Sequence, residues 1–163
     1  QTCALPIFVA VPPGKDVARA GHQQRDHRAA LAADPGTDPV GLVLAACDPA
    51  NPYGAALPWP DREGHRPGRK PGALVALVNG RLVFYVERGG KTLLSFSDDP
   101  ALLSPAAAAL ASSVRLGQLG RLTVERADGQ HVFGSAAVRS SLQQAGFAMT
   151  PSGLRLRPRP TGA

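Results

Sequence analysis

The sequence predicts an α+β fold, a mainly antiparallel sheet curled toward a small β-barrel and accompanied by two helices. Three observations carry this reading. Asn79-Gly80 separates two β-rich runs, a third such run follows a Gly-rich turn, and an Ala-rich stretch opens on Asp99-Pro100. Of the 163 residues, 44% are hydrophobic and 18% charged, a composition that buries one core and is not that of a disordered chain. Aromatics make up only 5%, so the core must be built mainly from Val, Leu and Ala. No apolar run approaches the roughly 20 residues that span a bilayer, and no membrane partner is expected.

The elements follow in order. Residues 16–33, rich in Ala, Gln and Arg, suggest a polar helix that Asp34-Pro35-Gly36 stops. Val40–Ala46 is a short continuous apolar run bounded by turn residues, the pattern of a buried strand. Residues 48–72 are dense in Pro and Gly and read as a long loop, a feature uncommon in compact domains and often functional. Residues 73–78 and 81–87 flank Asn79-Gly80, whose two positions favour φ > 0, and this marks a hairpin. Arg88-Gly89-Gly90-Lys91 turns the chain again into residues 92–96, completing a three-stranded meander. A helix is expected over 99–116, with Asp at its cap and Pro in its first turn. Residues 121–126 alternate as a strand, Asp128-Gly129 is a turn signal, and 132–133 is a candidate short return. A second helix is expected over 135–145, closed by Gly146. Residues 153–157 alternate as a last strand with arginines on one face, until Pro158 and Pro160 break the ladder.

Lys and Arg number 18 against 12 Asp and Glu, a net charge of +6. The excess sits late: residues 72–163 hold ten basic and five acidic side chains, against eight and seven in residues 1–71. An anionic partner is favoured on these grounds. Catalytic motifs are mostly missing. Gly14-Lys15-Asp16 lacks the Ser/Thr and the earlier Gly of a phosphate loop, and no zinc-protease, Cys-pair or nucleophile-elbow pattern occurs. His22, His27, His65 and His131 lie scattered among polar residues, and Asp98 and Asp99 are explained by the helix cap.

Two segments stand out. Asp48 to Pro60 contains the only Trp, Trp59, together with Tyr53. These rings either plug the end of a barrel or stack on a nucleobase. Gly64 to Lys70 is a basic Gly/Pro loop whose Arg66, Arg69 and Lys70 suit phosphate contacts. Arg155 and Arg157 strengthen the nucleic-acid reading. Asp48 beside Tyr53 is the one candidate catalytic carboxylate, although an Asp before Pro more often forms a turn.

The sequence opens at Gln1 and its single Met is Met149, so it reads as the tail of a longer protein. Gln1-Thr2-Cys3-Ala4-Leu5-Pro6-Ile7 resembles a translated sequencing-adapter end, and residues 1–7 are expected to be an artefact of that origin. With Cys3 set aside, one cysteine is left, which makes no disulfide framework and no zinc site and fits a reducing cytoplasm.

At several of these residues the chain resembles the large helicase-related (Lhr) family. Asp48 to Pro60 looks like its signature near the C-terminus, and Arg66 to Ala73, Leu82 to Gly90, Leu119 to Gly129, Ala145-Gly146-Phe147 and Gly153 to Arg157 follow in the same order. The resemblance covers roughly residues 40–157, while residues 8–35 match poorly. The expected organisation is an N-terminal segment at 8–38, a β-barrel-like C-terminal domain at 39–158 and a tail at 159–163. The resemblance implies an ATP-dependent, superfamily-two 3′-to-5′ helicase acting on DNA or RNA–DNA hybrids in DNA repair. ATP and Mg would bind a core outside these 163 residues, since no Walker motif is present. It also implies upstream winged-helix and helicase domains as partners, and it leaves a homo-oligomer open. The C-terminal region of the family resembles AlkZ-type DNA glycosylases, some members being uracil-DNA glycosylases, but the glutamine motif of those enzymes cannot be placed here. Three roles stay open: a nucleic-acid-binding or assembly module, a contributor to glycosylase chemistry, and a structural cap on winged-helix domains.

Overall fold

A computed structural model of the chain describes residues 39–158. The expectations for residues 1–7, for the helix over 16–33 and for the tail at 159–163 lie outside the described residues. Strand β1 (Gly41–Ala45) pairs with β2 (Leu74–Val78), which forms the expected hairpin with β3 (Arg81–Val86), followed by β4 (Thr92–Ser95). Helix α1 (Pro100–Arg115) comes next, then β5 (Leu122–Val124), β6 (Arg126–Ala127), β7 (Gln130–His131) and a single 3-10 turn at Val132–Gly134. Helix α2 (Ala136–Gln144), β8 (Ala148–Thr150) and β9 (Gly153–Leu156) complete the order.

The α+β class is as expected, with two helices and mostly antiparallel pairing among the described residues, whose sheets do not close into a barrel. One sheet has six strands in the order β1-β2-β3-β4-β6-β7, and a second has three in the order β5-β9-β8. Among the named strands of the described residues the β4–β6 pair alone is parallel. The strand expected to run through 121–126 divides between the two sheets, and the return comes at Gln130–His131, with 132–134 coiling into the 3-10 turn.

Local chemistry explains the ends of these elements. Asn79 and Gly80 both hold positive φ, 48° and 80°, as a two-residue hairpin turn requires. The Asn79 side chain also accepts the Val40 N–H at 3.0 Å, tying the turn to the start of β1. Asp128-Gly129 repeats this chemistry between β6 and β7, with φ of 54° and 82°. Asp99 caps α1 by accepting the Ala101 N–H at 2.9 Å, with Pro100 in the first turn.

The central strands of the large sheet are buried on both faces, so β2 and β3 read as unbroken apolar runs instead of alternating ones. On one face lies α1, and α2 packs against α1 and against β9 of the smaller sheet. Leu103, Ala106, Ala107, Leu110, Ala111 and Val114 of α1 pack on that face with Val43, Ala76, Val78 and Phe84. The alanines let the helix sit close: a Cβ on Gly41 of β1 would meet the Pro105 carbonyl and the Ala109 Cβ. The second face carries Leu44, Val75, Leu77, Leu82, Tyr85 and Leu94, and its cover is the Pro/Gly-rich segment 48–72 itself, through Tyr53, Leu57 and Trp59. A register shift between Ala76 and Leu77 leaves Val83 as an extra residue of β3. Val83 and Phe84 therefore both serve the helix face, while Leu82 and Tyr85 serve the other. We call residues 48–72 the strap. Among the described residues no helix is long and apolar enough to cross a membrane.

Candidate nucleic-acid interface

The strap has almost no regular secondary structure, so its backbone groups need other partners. Asn51, fully buried, supplies some: its side-chain amide donates to the Ala46 carbonyl at 2.8 Å and its oxygen accepts the Tyr53 N–H at 3.1 Å. Arg69 supplies more. Its guanidinium donates to the carbonyls of Asn51 at 2.8 Å and Asp48 at 2.9 Å, and to those of Cys47 and Tyr53 at 3.3 Å each. One end of the strap thus clamps the other.

Four more ties hold the strap to the sheet. The Tyr53 hydroxyl donates to the Gly80 carbonyl at 3.3 Å and accepts the Leu82 N–H at 3.1 Å. The Tyr85 hydroxyl donates to the Gly68 carbonyl at 3.0 Å. Burial, and then the nearby Glu87 carboxylate, push the Tyr85 phenol above its usual range, because both disfavour the tyrosinate. Arg62 donates to the Ser95 carbonyl at 3.2 Å and to Asp128 at 2.9 Å, with its guanidinium 5.5 Å from the Phe96 ring centre. Glu87 receives both His65 and Lys70, the latter at 3.4 Å.

Against this frame each residue expected at the interface has a definite place. Tyr53 is 8% exposed. Trp59 is half-buried, stacked on Tyr53 with ring centres 6.1 Å apart and edge-on to Tyr85 at 5.7 Å. Gly54, at φ 74°, leaves room for the indole, since a Cβ there would meet the indole nitrogen. Arg69 is half-buried in its ring of carbonyls, whereas Arg66 and Lys70 are exposed. Arg66 makes no ion pair among the described residues. Arg155 and Arg157 follow the expected alternation on and beyond β9: Leu154 and Leu156 are buried, Arg155 half-buried and Arg157 exposed. Asp48 is 6% exposed, and its carboxylate accepts the Ala50 N–H at 2.8 Å, which is the turn-forming geometry.

The strap also forms a cleft of about 170 Å³ lined by Trp59, Pro60, Asp61, Arg62, Arg66 and Pro67. It brings together Trp59 and Arg66, which the sequence placed in separate segments. Asp61 and Arg62 are the residues that sequence reasoning passed over. Their signal was present: a charged pair directly after the aromatic Trp59-Pro60, before the basic loop begins. No group of three or more His, Cys, Asp and Glu suited to a metal occurs among the described residues.

No family model matches the chain. It is similar to a protein of Mycolicibacterium smegmatis named Lhr helicase/probable uracil glycosylase, at 55% identity over 123 residues, 71% of this chain. It is also similar to the Escherichia coli protein named Lhr helicase/uracil glycosylase, at 35% identity over 115 residues, 69% of this chain. The chain thus spans only 8% and 7% of the lengths of those relatives.

Proposed function

We propose that this chain, which belongs to the Lhr family, is a nucleic-acid-binding module at the C-terminal end of a helicase-related protein and leaves ATP hydrolysis to other domains. The observation that carries this reading is the cleft where exposed Arg66 meets the half-buried Trp59. An unpaired guanidinium beside an aromatic wall suits a phosphate and a base of the same strand. Lys70, Arg155 and Arg157 would add phosphate contacts that position the strand without reading its sequence. Arg69 and Tyr53 serve this surface indirectly by holding the strap in shape, and Asp48 forms the turn that opens it. In the whole protein, ATP with Mg would drive 3′-to-5′ unwinding of DNA or RNA–DNA hybrids in cytoplasmic DNA repair. The winged-helix and helicase domains of the same polypeptide would be the neighbours of this module.

The test is a titration of single-stranded DNA, duplex DNA and an RNA–DNA hybrid at several salt concentrations, on wild type and an Arg66→Ala/Lys70→Ala double variant. Each lost phosphate contact should flatten the logarithmic salt slope by about 0.7 on single strands and 0.9 on duplex. An unchanged slope and affinity in the double variant would overturn the electrostatic reading in favour of a structural cap.

A further inference from the structure

We infer that the Trp59–Arg66 cleft holds a single unpaired guanine, with Asp61 reading its base edge. This deepens the binding role proposed above and rests on it. The cleft's volume, about 170 Å³, is comparable with the roughly 150 Å³ cavity that accommodates a benzene ring. Being open to solvent, the cleft can take one planar ring system with its edge at the mouth, and it is too small for a duplex. Trp59, Pro60 and Pro67 supply the apolar part of its lining. Trp59 is braced on Tyr53 and Tyr85, so its position is fixed before any ligand arrives.

The charges of the cleft select the ligand further. Arg66 is exposed and makes no ion pair among the described residues, so it is available to a phosphate. The Arg62 guanidinium gives its two terminal nitrogens to Ser95 and Asp128 and lies over Phe96, and its Nε alone has no partner among the described residues. Asp61 is the anomaly. An exposed carboxylate in the wall of a cleft for a polyanion repels the backbone, and it gains only by accepting hydrogen bonds from a base. Two adjacent N–H donors match the two carboxylate oxygens in the manner of a bidentate pair. Guanine presents that edge, with N1–H beside the N2 amino group. Adenine and cytosine set an acceptor nitrogen beside the amino group, and thymine and uracil flank one N–H with two carbonyls. Such an edge is open only in an unpaired base.

Because Trp59 is the only Trp in the chain, its fluorescence reports on the cleft directly. The chain is titrated with dGMP, dAMP, dCMP and dTMP, and then with an oligo-dT carrying one central guanine against oligo-dT alone. Wild type and Asp61→Asn are compared, with melting curves run in parallel. Saturable quenching by dGMP and about ten-fold tighter binding of the guanine-bearing strand are expected. In Asp61→Asn the ratio between the two strands should fall to about two-fold or less. Equal affinities for the four nucleotides, or a guanine preference that survives Asp61→Asn, would overturn the guanine site. If salt-dependent binding of oligo-dT persists in that case, the binding module itself still stands. Failure of wild type to bind any strand would overturn both.

Discussion

Replacing Arg69 by Ala should destabilise the fold and not simply weaken a phosphate contact. Its guanidinium makes two short bonds, 2.8 Å to Asn51 and 2.9 Å to Asp48, and two longer ones at 3.3 Å. Hydrogen bonds to a charged group contribute about 1.5–3 kcal/mol each. Arg69 is only half-buried, so the lower end applies, and the two short bonds together give about 3 kcal/mol. That is a large share of the roughly 5–15 kcal/mol that holds a domain folded. Arg69→Lys should recover less than half, because an ammonium lacks the planar fork that reaches several carbonyls at once. The assay is urea unfolding of wild type, Arg69→Ala, Arg69→Lys and Arg66→Ala, with strand binding measured on the same samples. The clamp would be refuted if Arg69→Ala cost less than about 0.5 kcal/mol while losing as much affinity as Arg66→Ala.

Two further outcomes follow from the packing. Because the Tyr85 phenol titrates above its usual range, the folded state holds its proton longer than the unfolded chain does. Its contribution is therefore complete below pH of about 10 and is lost as pH rises through the folded value. Tyr85→Phe should flatten the alkaline fall in stability, and an unchanged stability–pH curve in that variant would exclude the linkage. Gly41→Ala would press a methyl group against the Pro105 carbonyl and Ala109, which should cost about 1–3 kcal/mol. A melting temperature equal to that of wild type would show that α1 stands off β1.

The parts of the fold that were legible in the sequence are those decided by neighbours in the chain. Asn79-Gly80 and Asp128-Gly129 announce their turns because few residue pairs tolerate two positive φ values, and Asp99-Pro100 announces α1 by cap chemistry. The closure of the sheet was not legible. It depends on which partners the two- and three-residue strands β5, β6 and β8 choose, and such short strands carry almost no periodicity. The site divides in the same way. Trp59 and the basic loop stand out by residue type. Arg69's partners lie 16 to 22 residues away in the chain, so a guanidinium turned onto carbonyls looks, in sequence, the same as one awaiting a phosphate. The cover on the second sheet face was also hidden, because a strap of prolines and glycines has no amphipathic pattern.

That strap has a consequence for recognition. Prolines restrict the unfolded chain as well as the folded one, so a Pro-dense segment loses less conformational freedom on docking than an ordinary loop of its length. Its shape is then fixed by side chains, Asn51, Tyr53, Arg62, Arg69 and Tyr85, and not by a backbone ladder. A surface set in this way can face a flexible single strand while the ordering penalty falls on the nucleic acid alone. The relief of such a surface can also be redrawn by exchanging Pro60, Asp61 or Arg66 without disturbing a strand or helix of the domain beneath.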